Sequence, residues 1–199
     1  RFMFHAETTH KLLAYGSNGR FYTIQTSNLP GGRGMGEPLR LMVDLPNEVQ
    51  LIDIFIHDPK AKRIVASTAG DGFVVPEADV IAQTRTGKQV LNVGDAAQAC
   101  ICRPVLGDHV AVVSQNGKFL VFPTEELPEM GRGKGVRLQK YKDGGLSDAT
   151  TFTLDEGLSW QMGGDSGRTR TENEIGMWKV ARGAAGRLPP TGFPKDNRF

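Results

Sequence analysis

The chain has 199 residues, about one domain's worth, and its 24 Lys plus Arg against 22 Asp plus Glu leave a formal net charge of +2. That balance excludes a histone-like polycation and an acidic tail, and no apolar run approaches the ~18 residues of a membrane span. Glycine says more: 25 of 199 residues is about 13 %, against a typical ~7 %, which predicts a turn-rich, all-β chain.

In chain order, the N-terminus (Arg1-Phe2-Met3-Phe4-His5) has no long apolar core of the signal-peptide kind. Arg1 stands where a Met would begin a chain, and Phe2 to Phe4 reads as the tail of a strand. Residues 1–9 are therefore expected to be the remnant strand of a truncated preceding blade. From Leu12 onward one pattern recurs. An apolar run meets a tight turn ending in Gly and resumes as a second apolar or aromatic run. The first copy is Leu12 to Tyr15, Ser17-Asn18-Gly19 and Phe21 to Ile24. The second is Ile64 to Ser67, Gly70-Asp71-Gly72 and Phe73 to Val75, and the third is Val110 to Val113, Gln115-Asn116-Gly117 and Phe119 to Phe122. The fourth, more polar, is Leu158 to Met162, Asp165-Ser166-Gly167 and Arg168 to Thr171. Asn-Gly and Asp-Gly between such runs predict hairpins with type I′ turns, which need positive φ at both central residues. The glycines Gly19, Gly72, Gly117 and Gly167 lie 53, 45 and 50 residues apart, the period of propeller blades. Blades are expected near 10–57, 62–107, 108–155 and 158–199.

A second landmark keeps step. Arginine recurs 14, 13, 15 and 15 residues beyond the turn glycine: Arg33, Arg85, Arg132 and Arg182. Each sits in a Gly-rich or polar loop, and strand-like stretches come after it, clearest at Leu39 to Leu45, Val90 to Val93 and Val136 to Leu138. A single such loop is best read as a plain connection with a solvated arginine. Because a repeated fold puts equal offsets at equal places, four in register predict an arc of guanidinium groups along one rim, which suits a curved polyanion. Charge is segregated as well. Residues 131–142 hold Arg132, Lys134, Arg137, Lys140 and Lys142 with no acid, whereas residues 44–58 hold Asp44, Glu48, Asp53 and Asp58 with no Lys or Arg. Arg20, Lys88, Lys118, Lys134, Arg137 and Lys140 are the expected supporting cations. No base-reading helix is evident, so any DNA binding should be backbone-directed and indifferent to sequence.

Several segments resemble a known family: Glu7-Thr8-Thr9-His10-Lys11-Leu12-Leu13, Ser17-Asn18-Gly19-Arg20-Phe21-Tyr22, Leu29-Pro30-Gly31-Gly32-Arg33-Gly34-Met35-Gly36-Glu37-Pro38, and Glu126-Leu127-Pro128 through Gly131-Arg132-Gly133-Lys134-Gly135-Val136. They are similar to the C-terminal domain of the A subunit of bacterial DNA topoisomerase IV. The resemblance covers essentially the whole chain and is weakest in the last copy. It implies an all-β pinwheel, a propeller-like ring or spiral whose blades exchange strands, and a non-catalytic domain that binds and bends duplex DNA around its outer edge. It also implies two protein partners, the B subunit together with the remainder of the A subunit, in a bacterial cytoplasmic setting with no membrane. No cofactor is expected in this segment, since ATP and Mg2+ serve other parts of the whole enzyme. The related gyrase A signature of the type Gln-Arg-Arg-Gly-Gly-Lys-Gly is not reproduced at Gly31 to Gly36 or Gly131 to Gly135, which favours bending over strong wrapping. Bending 20 to 30 base pairs by 40 to 90° costs about 1 to 6 kcal/mol, a sum that several phosphate contacts offset.

Other signals weigh less. Cys100 and Cys102 lie one residue apart with no second pair or nearby His to complete a zinc set; they are no disulfide framework either, which points to a reducing cytosol. The four histidines form no nucleophile–base pattern, and no phosphate-binding Gly-x-x-x-x-Gly-Lys-Ser/Thr is present. Tyr15, Tyr22 and Tyr141 read as core or rim aromatics rather than DNA-cleaving groups. Gly163 to Thr169 partly resembles the Asp-box turn of sialidase propellers, but it lacks the flanking Ser and Trp and is not shared by the other copies. A propeller that binds protein, using the acidic stretch 44–58, is the remaining alternative.

Overall fold

The computed structural model describes residues 2–162 and 167–199. The first copy forms β1 (Lys11–Gly16), β2 (Arg20–Gln25), a short helix α1 (Leu39–Met42) and β3 (Leu51–Ile56). The second forms β4 (Lys62–Ser67), β5 (Asp71–Pro76), β6 (Lys88–Gln89) and β7 (Ala99–Pro104). The third forms β8 (His109–Ser114), β9 (Phe119–Pro123), β10 (Val136–Arg137) and β11 (Leu146–Phe152). The fourth contributes β12 (Leu158–Gln161) and β13 (Thr169–Glu172).

Every strand pairing in these sheets is antiparallel, and the sheets are shared between copies. The first runs β3-β1-β2-β6 and the second β10-β5-β4-β7, so each takes one edge strand, β6 or β10, from the following copy. The third runs β11-β8-β9, and a bridge from Phe119 to Arg187 of the fourth copy continues the same exchange. The fourth is the two-stranded ladder β12-β13. Buried runs such as Leu12 to Tyr15, Ile64 to Ala66 and Val110 to Val113 point both strand faces into apolar layers, as strands sandwiched between neighbouring sheets must. One layer joins Leu13, Tyr15 and Phe21 of the first sheet to Val65, Phe73 and Val75 of the second.

The hairpin turns differ from the type I′ expectation. Three residues separate the strands in the first two copies and four in the third, and the third residue of each turn donates its N–H back to the strand end: Gly19 to Gly16 O at 2.9 Å, Gly70 to Ser67 O at 2.9 Å, and Gly117 to Ser114 O at 3.0 Å. Only that third residue has positive φ, between 73° and 85°, the pattern of a type I turn followed by a left-handed glycine. The second turn glycine is therefore Gly70 and not Gly72, which lies within β5 opposite Ala66. A Cβ on Gly72 would stand 2.3 Å from the Val65 carbonyl oxygen, so close approach explains that glycine. With Gly70 in place the spacings become 51, 47 and 50. Of the fourth turn, Asp165 and Ser166 lie outside the described residues, as does most of the Asp-box-like segment.

Two further expectations are corrected. Residues 2–9 hold no strand; they add nothing to the first sheet, and Glu7 and His10 close a turn instead, His10 N–H donating to Glu7 O at 3.0 Å. The stretch Leu39 to Leu45 is not extended but contains α1, whereas the corresponding segments of later copies pair with the preceding sheet.

A buried charge cluster ties the first sheet to the second. Arg63 of β4 is 8 % exposed and donates to Asp53 of β3 and to Glu77, each at 2.9 Å. Its guanidinium lies 3.2 Å from the centre of the Phe55 ring. Burial pushes the Asp53 carboxyl up, and the adjacent Arg63 charge only partly offsets it.

Turn geometry and the buried cluster each set a stability expectation. Gly70→Ala should cost roughly 2 to 4 kcal/mol, since its φ is +85° and a Cβ would meet the Tyr141 ring at 2.3 Å; Gly31→Ala, with open space around it, should be near neutral. Arg63→Ala should cost about 3 to 5 kcal/mol by stranding buried carboxylates. Denaturant unfolding checks all three, and equal midpoints for the two glycine variants would refute the turn assignment.

Candidate nucleic-acid interface

Each sheet has two edges with different surroundings. On one side β3, β7 and β11 come together and line a polar cavity of about 420 Å3 with Asp53, Cys100, Arg103, Ser147 and Asp148 on its wall. Arg103 pairs there with both oxygens of Asp148 at 3.3 Å, and Phe199 N–H donates to the same carboxylate at 3.0 Å. Burial pushes both thiols, Cys100 and Cys102, up to about 12. They are packed groups of a structural wall. The opposite edges carry the exchanged segments β6, β10 and the Arg187 bridge, and this is where the cations gather.

Glycine-rich loops link these outer edges into a belt. Gly133 N–H donates to Val90 O at 2.9 Å and its carbonyl accepts from Asn92 at 2.8 Å; Gly183 N–H donates to Leu138 O at 2.8 Å, and Lys140 N–H to Ala184 O at 3.0 Å. Thus each loop hydrogen-bonds to the exchanged segment of the copy before it. Gly135 permits the contact: a Cβ there would sit 2.2 Å from the Gly72 carbonyl oxygen.

The four registered arginines divide into two kinds. Arg182 donates to the carbonyls of Glu126 at 3.1 Å and Arg137 at 2.6 Å, bracing the belt. Arg85 is exposed, but it pairs with Asp44 at 3.3 Å and donates to Leu41 O at 2.7 Å, fastening the second copy to the first. Arg33 and Arg132 are exposed, and among the described residues neither has a hydrogen-bond or ion-pair partner. Their guanidinium groups are available in full.

The supporting cations lie along the outer edges. Arg20 of β2 stands beside β6 and donates to Thr86 O at 2.9 Å, while Lys88 of β6 donates to Asp79 O at 2.5 Å. Lys134 and Arg137 sit 3.4 and 3.7 Å from the Asp71 carboxylate. Lys118, next to β9, and Lys140 offer ammonium groups with no partner among the described residues. The acidic stretch 44–58 forms no single patch: Asp44 pairs with Arg85 and Asp53 with Arg63. Arg187, absent from the cations expected on sequence grounds, exchanges two backbone hydrogen bonds with Phe119 (2.7 and 2.9 Å) on the third sheet's edge. The offset from the turn glycine would have found it: Arg137 follows Gly117 by 20 residues, and Arg187 follows Gly167 by 20.

Antiparallel sheets that complete one another by exchanging edge strands around a shared inner cavity define a β-pinwheel of the propeller-like class. A family model described as the DNA gyrase C-terminal domain, beta-propeller, matches residues 64–96 and 108–146. Over 198 residues, the full chain, there is 47 % identity with the A subunit of DNA topoisomerase 4 from Caulobacter vibrioides. The fold matches the E. coli ParC C-terminal domain with a TM-score of 0.80, covering 94 % of this chain and 79 % of that one at 24 % identity. It matches a DNA gyrase A C-terminal domain at 0.69, covering 97 % and 64 % at 17 % identity. The chain belongs to the C-terminal domain family of the topoisomerase IV and gyrase A subunits. It spans about a quarter of the Caulobacter relative, 26 % of that length.

Because Arg182 is spent on backbone carbonyls and Arg132 is not, the two should respond differently to truncation. Arg182→Ala is expected to lose about 1 to 2 kcal/mol, and Arg132→Ala to stay within about 0.5 kcal/mol of the parent. Thermal unfolding of the two variants separates them.

Proposed function

We propose that this chain is a DNA-binding and DNA-bending domain of a topoisomerase IV A subunit, holding duplex along the outer edges of its blades and positioning it for cleavage elsewhere in the enzyme. The observation that supports this most is the repetition of cations on those edges: Arg20 and Lys88 on the first blade, Lys134 and Arg137 on the second, Lys118 and Arg187 on the third, with Arg132 fully presented on the belt between them. Evenly repeated positive charge on these edges, with no element among the described residues shaped to enter a groove, suits phosphates and not base edges. The family membership points the same way.

In this reading the domain performs no bond chemistry. ATP and Mg2+ would be used by parts of the enzyme outside this chain, and decatenation and supercoil relaxation would belong to the whole assembly with the B subunit, in the bacterial cytoplasm. Among the described residues no helix is long and apolar enough to cross a membrane. The dispersal of the acidic stretch weighs against the protein-binding alternative, since Asp44 and Asp53 are already engaged by arginines of the second copy.

Duplex affinity should fall steeply with salt, and the log–log slope should drop by about 1.8 when Arg132 and Arg187 are both replaced by Ala, at about 0.9 per phosphate. A flat slope for the parent would remove the phosphate-contact reading. A ring-closure ligation assay on short duplexes addresses bending separately: accelerated circle formation is expected, and unchanged closure would leave binding without bending.

A further inference from the structure

The hairpin register makes three residues equivalent, each the first after its turn glycine: Arg20 on the first blade, Asp71 on the second and Lys118 on the third. Two are cations and one is an acid. The Asp71 side chain is only 6 % exposed, yet it lies on the second strand from the blade's outer edge, directly opposite Arg137. Lys134 Nζ stands 3.4 Å from Oδ2 and Arg137 Nε 3.7 Å from Oδ1. Both contacts exceed the roughly 2.7 to 2.9 Å of a strong charge-assisted hydrogen bond, and Oδ2 has no hydrogen-bond partner among the described residues.

The carboxylate is thus a buried anion under two cations that it attracts without saturating, while those side chains remain 69 % and 50 % exposed. No acid lies within ion-pair distance of Arg20, Lys88, Lys118 or Arg187 among the described residues. Blades one and three therefore face an incoming polyanion with uncompensated charge, and blade two with charge already shared.

Resting on the DNA-binding function proposed for these edges, we infer that Asp71 acts as an internal stand-in for a DNA phosphate and sets how strongly the second blade holds the duplex. A phosphate reaching Lys134 and Arg137 has to draw them away from Asp71. The duplex is consequently gripped at two blades that flank a weaker one, an arrangement that holds a bent segment yet lets it go. The conformation of the loop is incidental to this: the effect is a competition between two anions for the same two cations.

The test is duplex binding by this chain across a salt series for the parent, Asp71→Asn, the pair Lys134→Gln/Arg137→Gln, and all three together. Asp71→Asn should bind several-fold more tightly, with a log–log salt slope steeper by about 0.9 to 1.8. The Lys134/Arg137 pair should lower the parent slope, but by clearly less than the about 1.8 of two uncompensated contacts, and should abolish the gain produced by Asp71→Asn. Unchanged or weaker binding by a folded Asp71→Asn protein overturns the inference. If Asp71→Asn does not fold, the exposed Lys134/Arg137 pair decides: a loss of about 1.8 from the parent slope means both cations hold phosphate at full strength and overturns the inference, while a smaller loss supports it. A parent that binds duplex without salt dependence defeats the DNA-binding function itself, and this inference falls with it.

Discussion

The backbone ladder that joins each copy's late segment to the sheet before it is the constraint on which the other features depend. Val90 and Leu91 donate to Gly19 O, Leu138 donates to Gly70 O, and Arg187 and Phe119 exchange a pair of bonds. A buried strand edge needs these partners, so none of the first three sheets is complete within its own copy. Exchange places each Gly-rich loop on the outside, where it crosses the neighbouring blade, and leaves β3, β7 and β11 to meet on the inside. The rim and the inner cavity are two consequences of one pairing rule.

That rule also sorts the charges. Three acids are buried: Glu77, Asp71 and Asp148 are 2 %, 4 % and 5 % exposed, each with a cationic partner that offsets part of the cost of burying it. The cations that answer them either bury with them, as Arg63 does, or reach in from the surface, as Lys134 and Arg103 do. Exposed cations without acidic partners are left on the outer edges. A chain with a net charge of +2 can in this way leave unpaired cations along its outer edges, because Asp71, Glu77 and Asp148 are folded inward.

Much of this is legible in the sequence. Turn glycines, apolar runs and the spacing of about fifty residues disclose the blades, and Cys100, Cys102, Tyr15 and Tyr22 are packing groups on either view. Gly72 misleads because Gly70-Asp71-Gly72 contains the favoured Asp-Gly pair, whereas the glycine with positive φ precedes the Asp. Leu39 to Leu45 looks extended because its counterparts are, but what extends those is pairing with another copy's sheet, which the segment itself does not reveal. Arg85 and Arg182 look like Arg33 and Arg132 in every sequence respect. What distinguishes them is a carbonyl or a carboxylate supplied by another copy, 41 to 56 residues away in the chain.

The sequence by itself determined the repeat, its hairpins, the all-β class and the recurrence of cations at fixed offsets, since these arise from local turn chemistry and strand propensity acting within a dozen or so residues. Tertiary structure alone decided which edge faces outward, which copy completes which sheet, and which of those cations are spent. The reason is that ladder partners and ion-pair partners are set by distances between copies, and a carboxylate such as Asp71, unremarkable in its turn, acquires its role only when Lys134 and Arg137 are delivered to it by the exchanged strand.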